Sequence, residues 1–447
     1  MASQKKLSII AALFLLSALA CGLFAPSSET PPPSSLSPLV LTRQPTGEPT
    51  GEPTFLPAAT HTPPAPTSTA ALPPSPTAEP ASPFKRVTSL AGLLPDPTSN
   101  VQVRPLADGS VWIIASQAVL RWDGQAWETV LSEGGTFLAA VDDGGRLWVL
   151  RQDTSQIDAW QDGQWTTYSA SSGWVDALTY EPNWWAPTPW SAYSGAAGAL
   201  WLPMGRDVRL FDGKKWTLYT LEDMGFPPPG SEDLEVIHRL AMRAGGAEVW
   251  VGECYYSGPG PMGGQGVRWY DGETWHGADA PVGAKCVSAM QVDPAGDVWL
   301  GASGVVWRYQ PASQEWTSYN LPEALLSGYN FPHPRQLIVD GAGDVWVIMQ
   351  LCGGASCDGP AHLFRIHDGQ WSLVIDSPDW FTPFKRLALD GTGQAWLFWD
   401  GAFYRLGAES MQSSASIAAH GVGVGPDGRL WVVAESEGAP TLWLLEP

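Results

Sequence analysis

The chain has 447 residues, enough for two or three average domains or for one long repeat array, and its formal net charge is −21 at pH 7. From residue 84 onward, 41 acidic residues outnumber 21 basic ones. This balance excludes the basic surface of a nucleic-acid-binding protein and implies repulsion from an anionic membrane surface. Much of the acid lies in Asp-Gly pairs, so turn chemistry and solubility explain most of the charge.

The first 21 residues have the pattern of a secretory signal. Lys5 and Lys6 form a positive region, residues 7–16 are apolar, and small residues lead to Cys21. The apolar run is too short to span a bilayer as a helix. Residues 17–22 resemble a bacterial lipobox with Ala18 where Leu is usual, which implies that Cys21 is lipidated after cleavage. An ordinary signal peptide with an incidental cysteine is the alternative.

Residues 22–83 are predicted to form a disordered linker. The part from 26 to 83 contains 17 prolines among Ser, Thr and Ala, and it contains no Trp or Tyr. Such a segment cannot bury enough apolar surface to offset the entropy lost on ordering. At ~3.1 Å per residue in polyproline II conformation, it spans roughly 100 Å or more.

A repeat dominates the chain from residue 84 to residue 447. Residues 292–301 read Val-Asp-Pro-Ala-Gly-Asp-Val-Trp-Leu-Gly. Seven other segments resemble this one, three closely and four more loosely. Each has a polar turn followed by a strand that begins near a tryptophan. The spacing of 35 to 53 residues between these tryptophans is typical of propeller blades. The tryptophans are Trp112, Trp148, Trp201, Trp250, Trp299, Trp346, Trp396 and Trp431.

Each repeat contains four short strand signals, A to D, bounded by turn residues. Because one four-stranded meander leaves both faces exposed, the repeats must stack around a ring. The sequence therefore predicts an all-β fold, a single β-propeller of eight four-stranded antiparallel blades, with a seven-bladed ring as the alternative. The last repeat has no strand D of its own, and we expect residues 84–90 to supply that outer strand and close the ring.

The repeat resembles a known family. The pattern Asp-x-x-Gly-x-φ-Trp-φ-Gly, followed by φ-Arg-φ-x-Asp-Gly-x-x-Trp, is similar to the two-component regulator propeller repeat over nearly all of residues 100–447. The resemblance implies an extracytoplasmic sensor, and many such sensors respond to carbohydrates. The further β domain, membrane span and kinase of those sensors have no counterpart in this sequence.

Topology predicts which face of the propeller binds a ligand. In an up-and-down meander the A–B and C–D turns share one face, and the B–C loops and D–A connections share the other, which we call the long-loop face. Most of the long irregular segments fall on this second face, where binding usually resides. Its candidate binding residues are Trp174, Phe226, Tyr255, Tyr256, Tyr329, Phe331, His333, Trp380 and Phe381.

The remaining cysteines predict two disulfides. Four cysteines besides Cys21 make an even number in an oxidising compartment. Cys352 and Cys357 lie in one B–C loop, and Cys254 and Cys286 are expected to meet on the long-loop face. Zinc binding is the competing interpretation, but no paired Cys-x-x-Cys motif accompanies them.

No catalytic motif is present, and neither a metal nor a cofactor is predicted. One repeat, residues 425–435, is similar to the repeat of streptogramin lyases. A repeated arginine in strand C is expected to form structural ion pairs, although a ring of such residues would also suit an anion. Its members are Arg209, Arg268, Arg308, Arg365 and Arg405.

Together these features predict a monomeric, membrane-anchored, extracytoplasmic propeller that binds or senses a glycan or a polypeptide. The membrane contact is expected through the lipid anchor only, and nucleic acid is not an expected partner. A propeller enzyme, either lyase-like or active on glycans, and a scaffold protein of the cell envelope are the alternatives.

Overall fold

A computed structural model divides the chain into two units, Met1–Thr77 and Ala78–Pro447. The predicted signal peptide, Cys21 and the linker lie outside the described residues. Within the residues that the structure describes, no helix has the length and apolarity needed to cross a membrane. The structure describes residues 84–94, 101–115, 117–132, 137–151, 155–175, 193–194, 199–204, 206–227, 235–242, 248–257, 260–281, 286–325, 331–352, 361–376, 386–399, 402–407, 411–416 and 419–445.

These residues form a β-propeller of eight antiparallel blades, which confirms the predicted fold class and blade number. In each blade, strand A lies nearest the axis of the ring, since the strands A of neighbouring blades pack against one another. Strands B, C and D follow outward in chain order, except in blade 8, whose strand D is the first strand of the sequence. The only helical segments among the described residues are two short 3-10 turns, Ala170–Ser172 and Glu323–Leu325.

The strands fall into four sets by their position in the blade, counted from blade 1 to blade 8, and one extra strand, β16 (Gly260–Gly263), pairs with the end of β15. Strands A are β2 (Gln102–Pro105), β6 (Leu138–Val141), β10 (Tyr193–Ser194), β14 (Glu235–Met242), β19 (Ala289–Val292), β23 (Phe331–Val339), β27 (Arg386–Leu389) and β31 (Ala419–Val424). Strands B are β3 (Val111–Ile114), β7 (Leu147–Leu150), β11 (Leu200–Met204), β15 (Val249–Ser257), β20 (Val298–Ala302), β24 (Val345–Cys352), β28 (Ala395–Trp399) and β32 (Leu430–Ser436). Strands C are β4 (Ala118–Trp122), β8 (Ile157–Gln161), β12 (Asp207–Phe211), β17 (Val267–Tyr270), β21 (Val305–Gln310), β25 (Ala361–His367), β29 (Ala402–Leu406) and β33 (Ala439–Leu445). Strands D are β5 (Trp127–Ser132), β9 (Gln164–Tyr168), β13 (Trp216–Tyr219), β18 (Trp275–Ala278), β22 (Glu315–Asn320), β26 (Gln370–Ile375), β30 (Met411–Ser416) and, in blade 8, β1 (Phe84–Ser89).

The first described strand completes the last blade, as the sequence predicts. β1 pairs antiparallel with β33, and the register runs from Phe84 opposite Leu445 to Ser89 opposite Thr441. Phe84 is buried, and its ring lies 4.7 Å from that of Phe403 in blade 7. Because strands from both ends of the ring share blade 8, β1 pairs with the outer side of β33 and closes the ring.

The aspartate and tryptophan of the repeat are joined by hydrogen bonds around the A–B turn. In blade 6, Asp340 Oδ1 accepts the backbone N–H groups of Ala342 and Asp344, both at 2.9 Å. Its Oδ2 accepts the indole Nε1–H of Trp346 at 2.8 Å. The same indole bond recurs from Trp148 to Asp142, from Trp299 to Asp293 and from Trp396 to Asp390. A single carboxylate therefore holds the turn and satisfies a buried indole donor.

The eight tryptophans of the repeat are buried between blades, as predicted. Each faces the next blade around the ring. Trp148, for example, packs against Phe211 and Trp216 of blade 3, with ring centroids 4.8 and 5.2 Å apart. Trp431 of blade 8 belongs to a cluster with Val111 and Ile113 of blade 1, so the same packing closes the ring.

The glycine that ends the repeat makes room for the next blade. A Cβ atom at Gly252 would lie 2.5 Å from the Val287 side chain, and one at Gly301 would lie 2.7 Å from Pro334. These contacts are closer than any real Cβ contact, so strand B needs glycine where a neighbouring strand A crosses it.

One sequence interpretation needs correction. The segment Tyr180 to Gly198 reads as an insertion between strands A and B of blade 3, but it contains strand A itself. Tyr193 and Ser194 form β10, which pairs with Trp201 and Leu200. β10 is therefore strand A of blade 3, and the A–B connection of that blade begins after Ser194. A strand of two residues is too short for period-2 alternation to reveal it.

We expect Asp340→Ala to lower the free energy of unfolding by roughly 2–4 kcal/mol, because three N–H groups lose a charged acceptor and one of them is the indole of buried Trp346. Urea denaturation followed by tryptophan fluorescence measures this loss. Asp123→Ala is the matched control, since Asp123 caps an exposed C–D turn through the backbone N–H groups of Gln125 and Ala126, and we expect a distinctly smaller loss there. Equal losses in both variants would contradict the role of the indole bond.

Candidate functional site

The strand C arginines are of two kinds, although the sequence makes them look equivalent. Arg308 lies opposite Trp299 and Arg365 lies opposite Trp346. Their Nε atoms donate to Asp297 at 2.7 Å and to Asp344 at 2.9 Å. Arg405 occupies the same register but donates instead to the amide oxygen of Gln394, at 3.0 Å. Arg308 and Arg365 therefore form the expected ion pairs, whereas Arg405 braces its blade through a neutral amide.

Arg209 and Arg268 are displaced by one residue in this register. Arg209 lies opposite Leu202, and Arg268 lies opposite Val251, so neither faces the repeat tryptophan. Because neighbouring residues of a strand point to opposite sides of the sheet, this shift turns both side chains toward the preceding blade. These two arginines therefore differ from the other three, although all five lie in strand C.

Each displaced arginine covers an aromatic residue from the D–A loop of the preceding blade. The Arg209 guanidinium lies 5.3 Å from the ring centroid of Trp174, and that of Arg268 lies 4.7 Å from Phe226. In both loops the aromatic follows a glycine with positive φ, Gly173 at 81° and Gly225 at 78°. Such a glycine reverses the chain so that the next side chain points into the gap between blades.

A groove opens on the long-loop face between blades 3 and 4. Its volume is about 320 Å³, near the lower limit of typical small-ligand sites. The exposed carboxylates of Asp223 and Asp279 lie at its rim, half-buried Trp275 and His276 form one wall, and Arg268 lies at its base. The groove therefore offers hydrogen-bond acceptors at its rim and an aromatic surface at its side.

Backbone carbonyls hold the guanidinium of Arg268 in place. Its Nε and Nη2 donate to Gly225 O at 3.1 and 2.9 Å, and its Nη1 donates to Val267 O at 2.8 Å. Burial lowers the pKa of Arg268, and the carboxylates of Glu253 and Asp279 partly oppose this effect. Arg268 thus connects the loop of blade 3 to the sheet of blade 4 and fixes the base of the groove.

A buried acid and a buried histidine lie beneath the groove. Glu253 and His238 are paired across β14 and β15, and alternation along β15 places Glu253 on the same side as Val251 and Tyr255, facing blade 3. Glu253 is fully buried. Burial raises its pKa to about 7, an effect that the Tyr255 hydroxyl and Arg268 only partly offset.

His238 has the opposite shift. Burial lowers its pKa to about 4, although the hydrogen bond from its Nε2 to Arg206 O, at 2.9 Å, opposes the effect. The histidine is therefore neutral at physiological pH, whereas Glu253 titrates near neutrality. Sequence reasoning counts Glu253 only among the acids near the long loops and does not foresee its burial, for which the only available signal is an acidic residue at an inward position of a strand.

The structure places the sequence-predicted binding residues in three groups. Trp174, Phe226, Tyr255 and His333 are buried, so their faces are not available at the surface in this structure. Loop and arginine contacts cover the first two, and the Tyr255 hydroxyl donates to Pro227 O at 3.2 Å. Tyr256 and Phe331 lie in strands, but their side chains are outside the described part. Tyr329, Trp380 and Phe381 lie outside the described residues altogether.

The expected disulfide between Cys254 and Cys286 is present. It ties the end of strand B in blade 4 to the residues that enter strand A of blade 5, next to Glu253. The second predicted pair, Cys352 and Cys357, lies outside the described residues, because only the backbone of Cys352 is described. Among the residues with described side chains, no cluster of three His, Cys, Asp or Glu residues is suited to hold a metal ion.

No model of a known protein family matches the chain. No curated protein matches it in sequence. Solved structures match it in fold. Virginiamycin B lyase from Staphylococcus aureus is 11% identical over 81% of this chain and 99% of the lyase, with a TM-score of 0.43. The extracellular domain of a putative one-component system from B. thetaiotaomicron is 12% identical over 79% of this chain, with a TM-score of 0.39, and this chain covers 52% of its length.

PorZ, a surface component of the type-IX secretion system of Porphyromonas gingivalis, is 15% identical over 76% of this chain and 55% of that chain, with a TM-score of 0.36. At these identities, the likeness to all three structures concerns the propeller fold alone. The eight blades of its own structure make the chain a β-propeller protein, and that fold alone does not imply a function.

We expect loss of the 254–286 disulfide, through paired Cys254→Ala and Cys286→Ala substitutions, to lower the free energy of unfolding by about 3–4 kcal/mol, because the bond closes a loop with a sequence separation of 32. Thermal unfolding of the oxidised wild type and the double variant measures the difference. Added reductant is expected to lower the wild-type midpoint and to leave that of the variant almost unchanged. A variant as stable as the oxidised wild type would contradict a stabilising role.

Glu253→Gln is expected to change how stability depends on pH. The unfolded carboxyl titrates near 4.5 and the folded one near 7, so the protonated acid stabilises the fold fully below pH 4.5, and this stabilisation is lost as the pH rises through 7. Relative to wild type, the variant should gain roughly 2–3 kcal/mol between pH 4.5 and 7.5.

Denaturant unfolding of both proteins across this range measures the gain. His238 is present in both proteins, so its own titration contributes little to the difference. Glu315→Gln, at an exposed position of blade 5, is the control and should follow the wild-type curve. Parallel curves for wild type and Glu253→Gln would contradict the raised pKa.

Proposed function

We propose that this protein is a membrane-anchored, extracytoplasmic binding or sensing propeller, and that it binds a neutral oligosaccharide in the groove between blades 3 and 4. The observation that carries the proposal is the pair of exposed carboxylates, Asp223 and Asp279, at the rim of a groove with an indole wall. Carboxylates accept hydrogen bonds from sugar hydroxyls, and the apolar faces of sugar rings pack on aromatic side chains.

The charges in the groove favour a neutral ligand over an acidic one. Asp223 and Asp279 are exposed, and Arg268 between them already donates to backbone carbonyls. An anionic ligand would therefore meet two carboxylates with little compensation from the arginine. A polypeptide ligand is the second outcome to be tested, since amide groups also donate hydrogen bonds to carboxylates.

The Cys254–Cys286 disulfide supports an extracytoplasmic location, because such bonds form and persist mainly in oxidising compartments. The lipid anchor at Cys21 is proposed from the lipobox-like residues that precede it. Metabolic labelling with a palmitate analogue, compared between wild type and Cys21→Ala, tests the anchor. Equal labelling of the two proteins would contradict it.

A thermal-shift screen of the full-length protein in detergent tests the proposed ligand class, with neutral oligosaccharides, acidic oligosaccharides and short peptides as probes. A ligand at 100 times its dissociation constant adds about 2.7 kcal/mol to the stability of the native state. We expect a neutral sugar to raise the midpoint and Asp279→Asn to abolish that rise without changing the midpoint of the unliganded protein.

Glu273→Gln is the matched control, because Glu273 is an exposed acid of the same blade on the C–D turn, at the opposite face. It should respond to the sugar as wild type does. No shift with any neutral sugar, or equal losses in the two variants, would contradict the proposal, and a shift with peptides alone would favour a polypeptide ligand. Mass spectrometry of the ligand after long incubation distinguishes a binder, which returns it unchanged, from an enzyme.

A further inference from the structure

The inner strands of the ring carry positive charge in a strongly acidic chain. Arg104 is paired with Asp143 of the next blade. For Arg239 and Arg386, in contrast, no carboxylate among the described residues lies within ion-pair distance. The charged residues of the eight strands A, histidine aside, are Arg104, Arg239, Arg335, Arg386 and Glu235.

Arg239 and Arg386 occupy the same layer around the axis. Arg239 stands two residues before Ala241, which pairs with the repeat tryptophan of blade 4, and Arg386 stands two residues before Ala388, which pairs with that of blade 7. Equivalent register on equivalent strands gives both side chains the same direction.

Residues in this layer point toward the next blade. Arg239 Nε donates to Ser288 O of blade 5 at 3.0 Å. Gln336, the equivalent residue of blade 6, donates to Leu387 O at 2.8 Å and accepts Leu387 N–H at 2.9 Å. The side chain of Arg386 is therefore directed toward strand A of blade 8.

Small residues follow both arginines in this layer. In blade 5, which follows the blade of Arg239 around the ring, the equivalent position holds Ala289. In blade 8, which follows the blade of Arg386, it holds Gly421. Gly421 admits no larger residue, because a Cβ atom there would lie 2.2 Å from Val101 O. No side chain of this layer in blade 8 therefore covers the guanidinium of Arg386.

Arg386 has the environment of a channel wall. Its side chain is exposed, yet protein atoms surround it closely enough to lower its pKa. Tyr193, on strand A of blade 3 and thus across the axis in an eight-bladed ring, is near enough to influence that pKa. A side chain that contacts solvent but is surrounded by protein atoms has the environment of the wall of the central channel that propeller blades surround.

Further positive charge lies nearby on blade 6. A β-bulge between Pro334 and Gln336 shifts the register at Arg335 and re-aims its side chain, whose Nε donates to Gln350 Oε1 at 2.6 Å. Burial lowers the pKa of neighbouring His333, and the charges of Arg335 and Arg239 lower it further. The positive charges of Arg335 and Arg239 therefore both reach the region around His333, on the inner strand of blade 6.

We propose that the central channel holds a binding site for an oxyanion group, a carboxylate, phosphate or sulfate, which Arg386 contacts directly and which the charges of Arg239 and Arg335 attract. A guanidinium presents parallel N–H donors that match two oxygens of such a group. A bound anion would offset the repulsion between these positive charges. This site is independent of the proposed sugar groove, whose rim is acidic.

Isothermal titration of the full-length protein in detergent tests the site, with sodium sulfate, sodium phosphate and sodium glucuronate as separate probes and with ionic strength held constant by sodium chloride. We expect at least one probe to bind with a stoichiometry of one. Arg386→Gln should weaken its binding at least tenfold, and Arg239→Gln, which removes charge but no direct contact, should weaken it about two- to fivefold. The preferred probe distinguishes a carboxylate ligand from a phosphate or sulfate ligand.

Arg86→Gln is the matched control, because Arg86 lies on outer strand β1 in an exposed pair with Glu437, and it should bind as wild type does. The anion-free thermal midpoint of Arg386→Gln is expected to equal or exceed that of wild type, since one of several mutually repelling cations is removed. Absence of binding by all three probes, equal weakening in Arg86→Gln, or unchanged binding in Arg386→Gln would overturn the proposal. If Arg386→Gln does not fold, unchanged affinity in Arg239→Gln is the result that overturns it.

Discussion

The fold depends on one carboxylate that serves two elements at once. In four of the described blades, the aspartate of the A–B turn accepts hydrogen bonds from the backbone of the turn and from the indole of a tryptophan. That tryptophan is buried against the next blade. Turn geometry and interblade packing are therefore coupled, because one carboxylate accepts hydrogen bonds from both elements. This coupling explains why Asp and Trp recur together in the repeat, with Gly between them to close the turn.

Blades 3 and 4 depart from this pattern by one residue in strand C, and the candidate site lies at that departure. The shift directs Arg209 and Arg268 to the preceding blade, where they cover Trp174 and Phe226. A regular blade uses its strand C arginine to brace its own strands, whereas these two connect a loop to a sheet. The groove and the buried pair of Glu253 and His238 lie at the second of these connections, and the disulfide adjoins Glu253.

Charge is distributed unevenly between the rim and the axis of the propeller. Asp223 and Asp279 are exposed on the long-loop face, while Arg239 and Arg386 lie on the inner strands. Net charge gives no indication of this separation, because it sums over both regions. The acidic groove favours a neutral ligand, and the inner arginines favour an anion, so the two proposals make different demands on a ligand and are tested with different variants.

The sequence by itself determined the repeat, the eight blades, the role of residues 84–90 as the closing strand and the pairing of Cys254 with Cys286, because each follows from local periodicity or from the order of turns in a meander. Only the tertiary structure decided which aromatics are buried, since Trp174 and Phe226 are covered by residues of another blade. It also decided the orientation of Arg268 and Arg386, because a one-residue change of register reverses the direction of a side chain without altering the sequence pattern. The sheet of blade 4 brings Glu253, His238 and Arg268 together from three neighbouring strands, and only the register of those strands decides that the three side chains meet.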